Sequence, residues 1–410
     1  MYLNKITAVA LLFMVACTSP KKVPVSPSNG IWQMKMHLEE GATLPFNFKL
    51  EKNKAQWEMT LFNANEAIVT NEIEQRHDSL FIQLPIFESE FRLAIINTYA
   101  LEGVWVNYYK SDDYTIPVNA SYNIDYRFQK TTLSDKIENE KYAVRFSPNT
   151  ENEYTAIGLF SQNGNHLSGT FATETGDYRH LEGMITEDSM FLSTFDGSHA
   201  FLFQAAIEDS ILGGTFWSGN HYQTNWTAVI DSSITLKDPD SLTFLKDDYD
   251  KISFSFPNEK GEMVSLTDER YKNKAVIIQI MGSWCPNCLD ETNYLSSLYN
   301  KYHKDGLEII ALAFERTKTE EKAYENLKRL KIKTKAQYEF LLGGATRDDN
   351  AAEKLPMLNH IMSYPTAIFI DKQGTIERIH TGFYGPSTGE YYDEFVKETE
   401  ELVQQMLGNS

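Results

Sequence analysis

Two cysteines separated by two residues, Cys285 and Cys288, are the residues of this chain with the clearest capacity for chemistry. They follow an apolar, strand-like segment at residues 275–281 and precede a segment with helical periodicity. The dipole and the free amides at the start of a helix stabilise a cysteine thiolate. We therefore expect Cys285 to attack a partner disulfide, and Cys288, one turn into the helix, to resolve the mixed disulfide.

A structural role or a metal site explains the pair less well. A disulfide across two intervening residues closes a very short loop and restricts the unfolded chain little. Zinc takes four ligands, whereas the sequence has no second CxxC motif and no neighbouring histidine pair. We expect neither a metal nor a cofactor. Five histidines between residues 30 and 230 also lack ligand spacing: His77, His166, His180, His199 and His221.

The elements around the pair predict an α/β domain over residues 251–410, because segments with strand and helix periodicity take turns there. Gly306 is expected to end the first helix. The predicted elements are strands at 275–281 and 307–314 on either side of that helix, a helix at 318–330, a hairpin at 366–371 and 375–380, and a last helix with Phe395, Leu402, Val403 and Met406 on its inner face.

This C-terminal part resembles the thioredoxin superfamily over residues 252–407, and most closely the membrane-anchored thiol-disulfide oxidoreductases of the TlpA and ResA type. The motifs that carry the resemblance are Trp284-Cys285-Pro286-Asn287-Cys288, Glu291 and Tyr364-Pro365-Thr366. The resemblance implies a thioredoxin fold and disulfide-containing client proteins. For a reductant, it also implies a membrane thiol reductase as electron donor and clients such as apocytochrome c.

The resemblance further implies roles for single residues. In the family, the proline at the position of Pro365 is cis and faces the disulfide, and the main chain of the preceding residue, Tyr364, binds substrate. Trp284 is expected to shield the site. Thioredoxin has a buried carboxylate where this chain has Gln279, so we expect Glu291, on the same helix face as Cys288, to accept its proton. The alternative is that Glu291 is a solvated carboxylate favoured by the helix dipole.

Residues 30–230 predict an antiparallel all-β region, a sandwich or a barrel, because apolar and polar residues alternate and no amphipathic helix is evident. Two pairs of segments recur within it, 78–81 with 188–191 and 101–105 with 212–216, which favours two related β units. Any two β meanders could share matches this short. We recognise no family in this region.

The N-terminal residues predict export. Lys5 precedes an apolar run too short to span a bilayer, and small residues lead to Cys17, which resembles a lipoprotein lipobox. We expect residues 1–17 to form a signal peptide that ends at lipidated Cys17, residues 18–29 a tether, and residues 231–250 a linker. The alternative is an ordinary signal peptide. With lipid on Cys17, the protein would lie on the periplasmic face of a bacterial cell envelope, held to the membrane by that lipid.

Together these features predict an exported thiol-disulfide oxidoreductase that acts as a reductant. The net charge of -19 disfavours nucleic acid as a partner. Neither Pro286 nor Asn287 determines the direction of electron transfer. One alternative is a peroxide-reducing redoxin, because residues 312–316 resemble a strand end of such proteins. A redoxin of this kind also needs a peroxidatic cysteine in a separate motif, which the sequence does not contain. The other is a surface module that binds glycans or lipids through the β region, with an accessory redox domain.

Overall fold

The computed structural model describes residues 25–111, 113–129, 137, 140–208, 211–347 and 349–408. Two β units are followed by an α/β domain. The predicted signal peptide, Cys17 and residues 18–24 of the predicted tether lie outside the described residues. None of the helices within the described ranges is long and apolar enough to cross a membrane.

The first β unit is a nine-stranded antiparallel sheet. Its strands are β1 (Gly30–His37), β2 (Thr43–Asn53), β3 (Gln56–Asn63), β4 (Glu66–Thr70), β5 (Ile73–Arg76), β6 (Ser79–Gln83), β7 (Ser89–Asn97), β8 (Ala100–Asn107) and β9 (Thr115–Tyr122). Their order is β4-β3-β2-β1-β9-β8-β7-β6-β5, so the first and last strands pair and the edge strands, β4 and β5, are consecutive in the chain. Alternate residues of β1, including Trp32, Met34 and Met36, are buried in its core.

The second β unit is a closed barrel. Its strands are β10 (Lys141–Phe146), β11 (Tyr154–Asn163), β12 (His166–Thr173), β13 (Gly176–Asp177), β14 (Leu181–Ile185), β15 (Ser189–Phe195), β16 (Ala200–Glu208), β17 (Ile211–Ser218) and β18 (Tyr222–Ile230). The order is β11-β10-β18-β17-β16-β15-β14-β12-β13, and pairing of β11 with β12 closes the ring. Phe146, Phe171, Phe203 and Trp226 fill the barrel, where their rings contact one another.

The recurrent segments lie at equivalent places in the two units. In each unit the last strand pairs with the first, β9 with β1 and β18 with β10. Counted from that pairing, β8 and β17 are the next strands, and β6 and β15 follow two places further on. The all-β prediction is thereby confirmed, with barrel-like rather than sandwich architecture.

The α/β domain has the predicted thioredoxin-like fold. Its elements are β19 (Phe256–Pro257), β20 (Met263–Val264), β21 (Ala275–Met281), α1 (Pro286–Tyr302), β22 (Leu307–Thr317), α2 (Glu320–Thr334), β23 (Glu339–Thr346), α3 (Ala351–Lys354), β24 (Thr366–Ile370), β25 (Ile376–Thr381) and α4 (Glu390–Leu407). The main sheet has the order β23-β22-β21-β24-β25, with β21 to β23 parallel and β24 and β25 antiparallel. β21 is buried along its whole length because helices cover both faces of such a sheet.

The first β unit and the α/β domain share a hydrophobic core. Ile86 and Phe87, between β6 and β7, and Tyr109, after β8, are buried in one cluster with Leu295 of α1 and Leu327 of α2. The β region is therefore packed against the domain that carries the cysteines.

Part of the segment predicted as a linker also contacts the α/β domain. The amide of Phe244 donates to the side-chain oxygen of Asn359 at 2.9 Å. Asp240 lies 2.7 Å from the ring nitrogen Nδ1 of His380 and 2.7 Å from Nε of Arg378. These contacts fix residues 240–244 on the outside of β25.

Candidate active site

Cys285 and Cys288 form a disulfide where β21 passes into α1, with their Cα atoms 5.2 Å apart. Cys285 is the N-cap of the helix, and its Sγ accepts a hydrogen bond from the amide of Cys288 at 3.1 Å. Pro286 suits the first helical position because its missing N–H would have no partner there. Cys285 lines a cavity, whereas Cys288 is fully buried. Cys285 is thus the sulfur that a partner can reach.

Tyr364 lies against this disulfide, and Pro365 follows it in the chain. The peptide bond between them is cis, as the resemblance implied. The carbonyl oxygen of Tyr364 lies 3.3 Å from the Sγ of Cys285. Trp284 contacts the ring of Tyr364, with the ring centres 5.4 Å apart, and its indole nitrogen donates to the carbonyl of Phe314 at 2.9 Å. Two of the predicted site residues, Trp284 and Tyr364, therefore lie next to Cys285 and contact each other.

Glu291 is fully buried on α1, three residues after Cys288. Neither carboxylate oxygen has a hydrogen-bond partner among the described residues. Burial raises the pKa of Glu291 to about 8, and the nearby Gln279 lowers it by a smaller amount. Gln279 itself donates to the carbonyl of Cys288 at 3.3 Å and accepts from Thr292 at 3.1 Å. The solvated-carboxylate alternative for Glu291 is therefore wrong, because the group has no access to water.

Glu315, which the sequence analysis did not single out, lies on the other side of the cysteine loop. Its two oxygens accept hydrogen bonds from the amide of Ser283 at 2.7 Å and from the hydroxyl of Ser283 at 2.5 Å. That hydroxyl lies 3.3 Å from the phenol oxygen of Tyr109, which belongs to the β region. Burial raises the pKa of Glu315 to about 7. The sequence did contain a signal for Glu315, because an acidic residue there directly follows the predicted apolar strand at 307–314.

Arg179, also missed, reaches α1 from the barrel. It donates to the carbonyl of Pro286 at 2.8 Å and to the carboxylate of Asp290 at 2.7 Å. It also pairs with Glu66 and Asp196. Burial alone would lower the pKa of this guanidinium, but the carboxylates around it raise the pKa above its ordinary value. No local sequence signal marks Arg179, because all these partners are distant in the chain.

The turn before Arg179 covers the second half of the CxxC motif. The side-chain amide of Asn287 donates to the carbonyl of Asp177 at 3.1 Å. Gly176 has a φ of 135°, and a Cβ there would lie 2.5 Å from the Asn287 side-chain nitrogen. Ser363, which precedes Tyr364, donates to the carbonyl of Thr175 at 2.8 Å. Residues 175–179 of the barrel therefore bind both cysteine-bearing and proline-bearing loops.

A cavity of about 1240 Å³ opens in front of Cys285. Its lining comes from both β units and from the α/β domain, so the barrel forms one wall of the cavity in front of the disulfide. The residues of the barrel wall include Tyr154, Thr173, Tyr178, His199 and Phe201, and those of the opposite wall include Trp284, Pro286, Arg316, Met362 and Tyr364.

The C-terminal part of the chain is similar to known proteins. Residues 250–379 match the sequence profile of the AhpC/TSA family. The chain is 29% identical over 146 residues to the thiol-disulfide oxidoreductase ResA of Bacillus thuringiensis subsp. konkukian, which covers 36% of this chain and 74% of the relative. It is 28% identical over 131 residues to the thioredoxin-like protein YneN of Bacillus subtilis, 32% of this chain and 68% of that protein.

Two solved structures are also similar. The thioredoxin domain of a thiol-disulfide oxidoreductase from Bacteroides vulgatus is 24% identical, with a TM-score of 0.28, over 37% of this chain and 99% of its own. A putative thiol:disulfide interchange protein DsbE from Chlorobium tepidum is 17% identical, with a TM-score of 0.29, over 38% of this chain and 93% of its own.

The family match and the sequence relatives confirm the resemblance stated for the C-terminal domain, and they support the predicted enzyme class. The C-terminal domain of this chain is therefore a thioredoxin-like domain that is related to the ResA thiol-disulfide oxidoreductases.

Proposed function

We propose that this protein reduces the disulfides of client proteins through Cys285 and Cys288. The observation that carries the proposal is the disulfide at the start of α1, with Cys285 facing a cavity and Cys288 buried behind it. Tyr364 lies beside Cys285, where its main chain can hold a client segment. A dithiol in this arrangement can attack from one side only.

The reaction balances as two exchanges. The Cys285 thiolate attacks one client sulfur, the client S–S bond breaks, and the other client sulfur leaves as a thiolate that takes up a proton. The Cys288 thiolate then attacks the Cys285 sulfur and releases the second client thiol. The client gains two electrons and two protons, and the cysteine pair is oxidised to the disulfide.

Glu291 is proposed to take the proton of Cys288 during the second exchange. Its position one helical turn from Cys288 places both groups on one buried face of α1. Its pKa of about 8 lies close to neutral pH, where a group can both accept and release a proton efficiently. Gln279, which replaces the carboxylate of thioredoxin, cannot serve this role.

Trapping of the mixed disulfide tests the proposed reaction. The Cys288→Ser variant should accumulate a covalent adduct with a disulfide peptide, detectable by mass, whereas Cys285→Ser should form none. The direction is tested by equilibration with thiol buffers. A reduction potential near or below about -250 mV supports a reductant, and one near or above about -150 mV would replace this proposal with a disulfide-forming oxidant.

The proposed location is the periplasmic face of a bacterial cell envelope, with lipid on Cys17. The apolar run before Cys17 and the likeness to ResA support it. A reductant there needs a supply of electrons, which we assign to a membrane thiol reductase, and apocytochrome c is a candidate client. Lipid labelling of the wild type and of Cys17→Ser tests the anchor, which is excluded if neither protein incorporates lipid.

The β region is assigned to the same function because its residues line the cavity in front of Cys285. This favours a part in client binding over an independent surface module. Peroxide reduction is not proposed, since the chain has three cysteines and the one outside the pair is Cys17.

A further inference from the structure

We propose that Lys110, Arg316 and Arg347 form a subsite, here called the basic subsite, for an acidic segment of the client polypeptide next to its disulfide. The inference deepens the proposed function and rests on it. Lys110 comes from the first β unit, and the two arginines come from the α/β domain. All three line the cavity that Cys285 faces.

The basic subsite begins beside the reactive sulfur. The guanidinium of Arg316 lies 3.4 Å from the ring centre of Trp284, the residue before Cys285. Arg347 donates to the main-chain carbonyl of Lys110 at 3.3 Å and so connects the two domains. The same three cations also line a second cavity of about 890 Å³, which places them between the two cavities.

No carboxylate neutralises these cations within the described residues. The Lys110 ammonium lies 2.9 Å from a ring nitrogen of His221, and Arg316 stacks on Trp284. Burial, followed by the nearby arginines, lowers the pKa of Lys110. Burial, followed by Arg347, lowers the pKa of Arg316. Among the described residues, like charges are thus brought together without a carboxylate partner, in a chain whose net charge is -19.

The described carboxylates nearest to the subsite have other partners. Glu315, next to Arg316, accepts from Ser283. On the wall of the main cavity, Glu174 pairs with Lys237 at 3.3 Å and Asp177 accepts from the amide of Gly385.

The neighbouring cations of the second cavity differ from the basic subsite in being paired. Lys322 lies 3.2 Å from Glu88, and Arg329 lies 3.2 Å from Glu72. Within the part of the chain that the structure describes, no carboxylate pairs in this way with Lys110, Arg316 or Arg347, so their charge is available to a ligand.

Carboxylates are the groups in polypeptides that arginine and lysine bind best. A small molecule usually occupies a site of about 300–1000 Å³, whereas the main cavity alone has about 1240 Å³ and shares the three cations with the second cavity. An extended client segment fits this shape, with its disulfide at Cys285 and Asp or Glu side chains a few residues away at the basic subsite.

The test uses three disulfide peptides of the same sequence, except that the residues flanking the disulfide are Asp, Asn or Lys. The second-order rate constant for their reduction by the reduced protein is measured for the wild type, Lys110→Gln, Arg347→Gln and the double variant. The matched control is Lys260→Gln with Lys304→Gln, which removes two exposed charges elsewhere. Oxidised glutathione serves as a small disulfide that bears carboxylates.

The wild type should reduce the Asp peptide fastest and the Lys peptide slowest, with a difference that shrinks in high salt. Each single variant should lower the ratio of Asp to Asn rate constants by roughly threefold to fivefold, as expected for one weakly screened charge pair. The control should keep the wild-type ratio.

Equal rates for the three peptides, or an equal loss of ratio in the control, would overturn the basic subsite. If loss of Lys110 and Arg347 lowers the rate constant for oxidised glutathione more than that for the Asp peptide, the ligand of the subsite is a small disulfide and not a client polypeptide. Failure of the proposed function has a different outcome, because the wild type would then reduce none of the peptides.

Discussion

A guanidinium nitrogen of Arg179, on the barrel, lies 2.7 Å from the carboxylate of Asp290, on the second turn of the cysteine-bearing helix. The same side chain donates to the carbonyl of Pro286, inside the CxxC motif. Arg179 is buried and also pairs with Glu66, on β4 of the first β unit, and with Asp196, directly after β15 of the barrel. The position of the cysteine pair thus depends on a charge supplied by the barrel.

Replacement of Arg179 by Met should therefore destabilise the protein strongly. It leaves the buried carboxylate of Asp196 and the partly buried carboxylates of Glu66 and Asp290 without their cation. Breaking a buried ion pair costs about 3–5 kcal/mol of unfolding free energy. Urea unfolding of the two proteins measures the difference. The control is Arg145→Met, whose exposed partner Glu153 lies 3.9 Å away and whose loss should cost less than about 1 kcal/mol. Equal losses in both variants would refute the structural role of Arg179.

Features that depend on residues close together in the sequence could be predicted, whereas features that depend on contacts between distant segments could not. The CxxC motif, β21, α1 and the cis proline depend on residues close in sequence or on a family motif, and they were predicted. Strand β23 was not, because Gly343 and Gly344 interrupt its apolar pattern. A Cβ on Gly343 would lie 2.7 Å from the ring of Phe314, so the glycine is required by packing across the sheet.

The residues that the sequence analysis missed belong to contacts between domains. Arg179, Tyr109 and Glu315 acquire their roles from partners on other elements, and the β region resembles no family that would indicate them. The alternation that revealed the strands reports which face is buried but not what that face packs against. The contact between the barrel and the cysteine pair could therefore be found only from the structure.

Glu291→Gln should slow the resolution of the mixed disulfide by about 10²-fold, the lower range for loss of a general base. The variant should accumulate the covalent adduct during turnover, and the pH profile of the resolution step should lose its inflection near pH 8. Stopped-flow quenching with mass detection follows the adduct. The control is Glu325→Gln, an exposed carboxylate on α2. A wild-type rate and pH profile in Glu291→Gln would exclude the proposed proton transfer.

The same carboxyl group should make stability depend on pH. Burial raises the pKa of Glu291 from 4.5 to about 8, so the folded protein keeps a proton that the unfolded chain releases. Its contribution is fully present below about pH 4.5 and is lost as the pH rises toward 8. Between pH 5 and pH 8, the unfolding free energy of Glu291→Gln should therefore rise relative to the wild type, by on the order of a few kcal/mol.

Urea unfolding of both proteins in the disulfide form, at several pH values, measures this change. Glu325→Gln should show a constant difference from the wild type across the series. A constant difference for Glu291→Gln as well would mean that its carboxyl group is ionised in the folded protein, against the effect of its burial.

Phe87→Ala tests whether the β region is part of the redox unit or a separate module. Phe87 projects from the first β unit into the hydrophobic core that contains Leu295 and Leu327, so its truncation should cost about 3–5 kcal/mol of unfolding free energy and loosen the contact between domains. Phe244→Ala, at a ring that is 53% exposed, should cost less than about 1 kcal/mol.

Alkylation of the reduced protein gives the second measurement. If the β region limits access to the cysteines, Cys285 should react faster with a bulky thiol reagent in Phe87→Ala than in the wild type, while Phe244→Ala should match the wild type. The wild-type rate and stability in Phe87→Ala would instead indicate independent domains. In that case deletion of residues 30–230 would leave an intact reductase, whereas the shared core predicts that this deletion exposes apolar side chains and destabilises what remains.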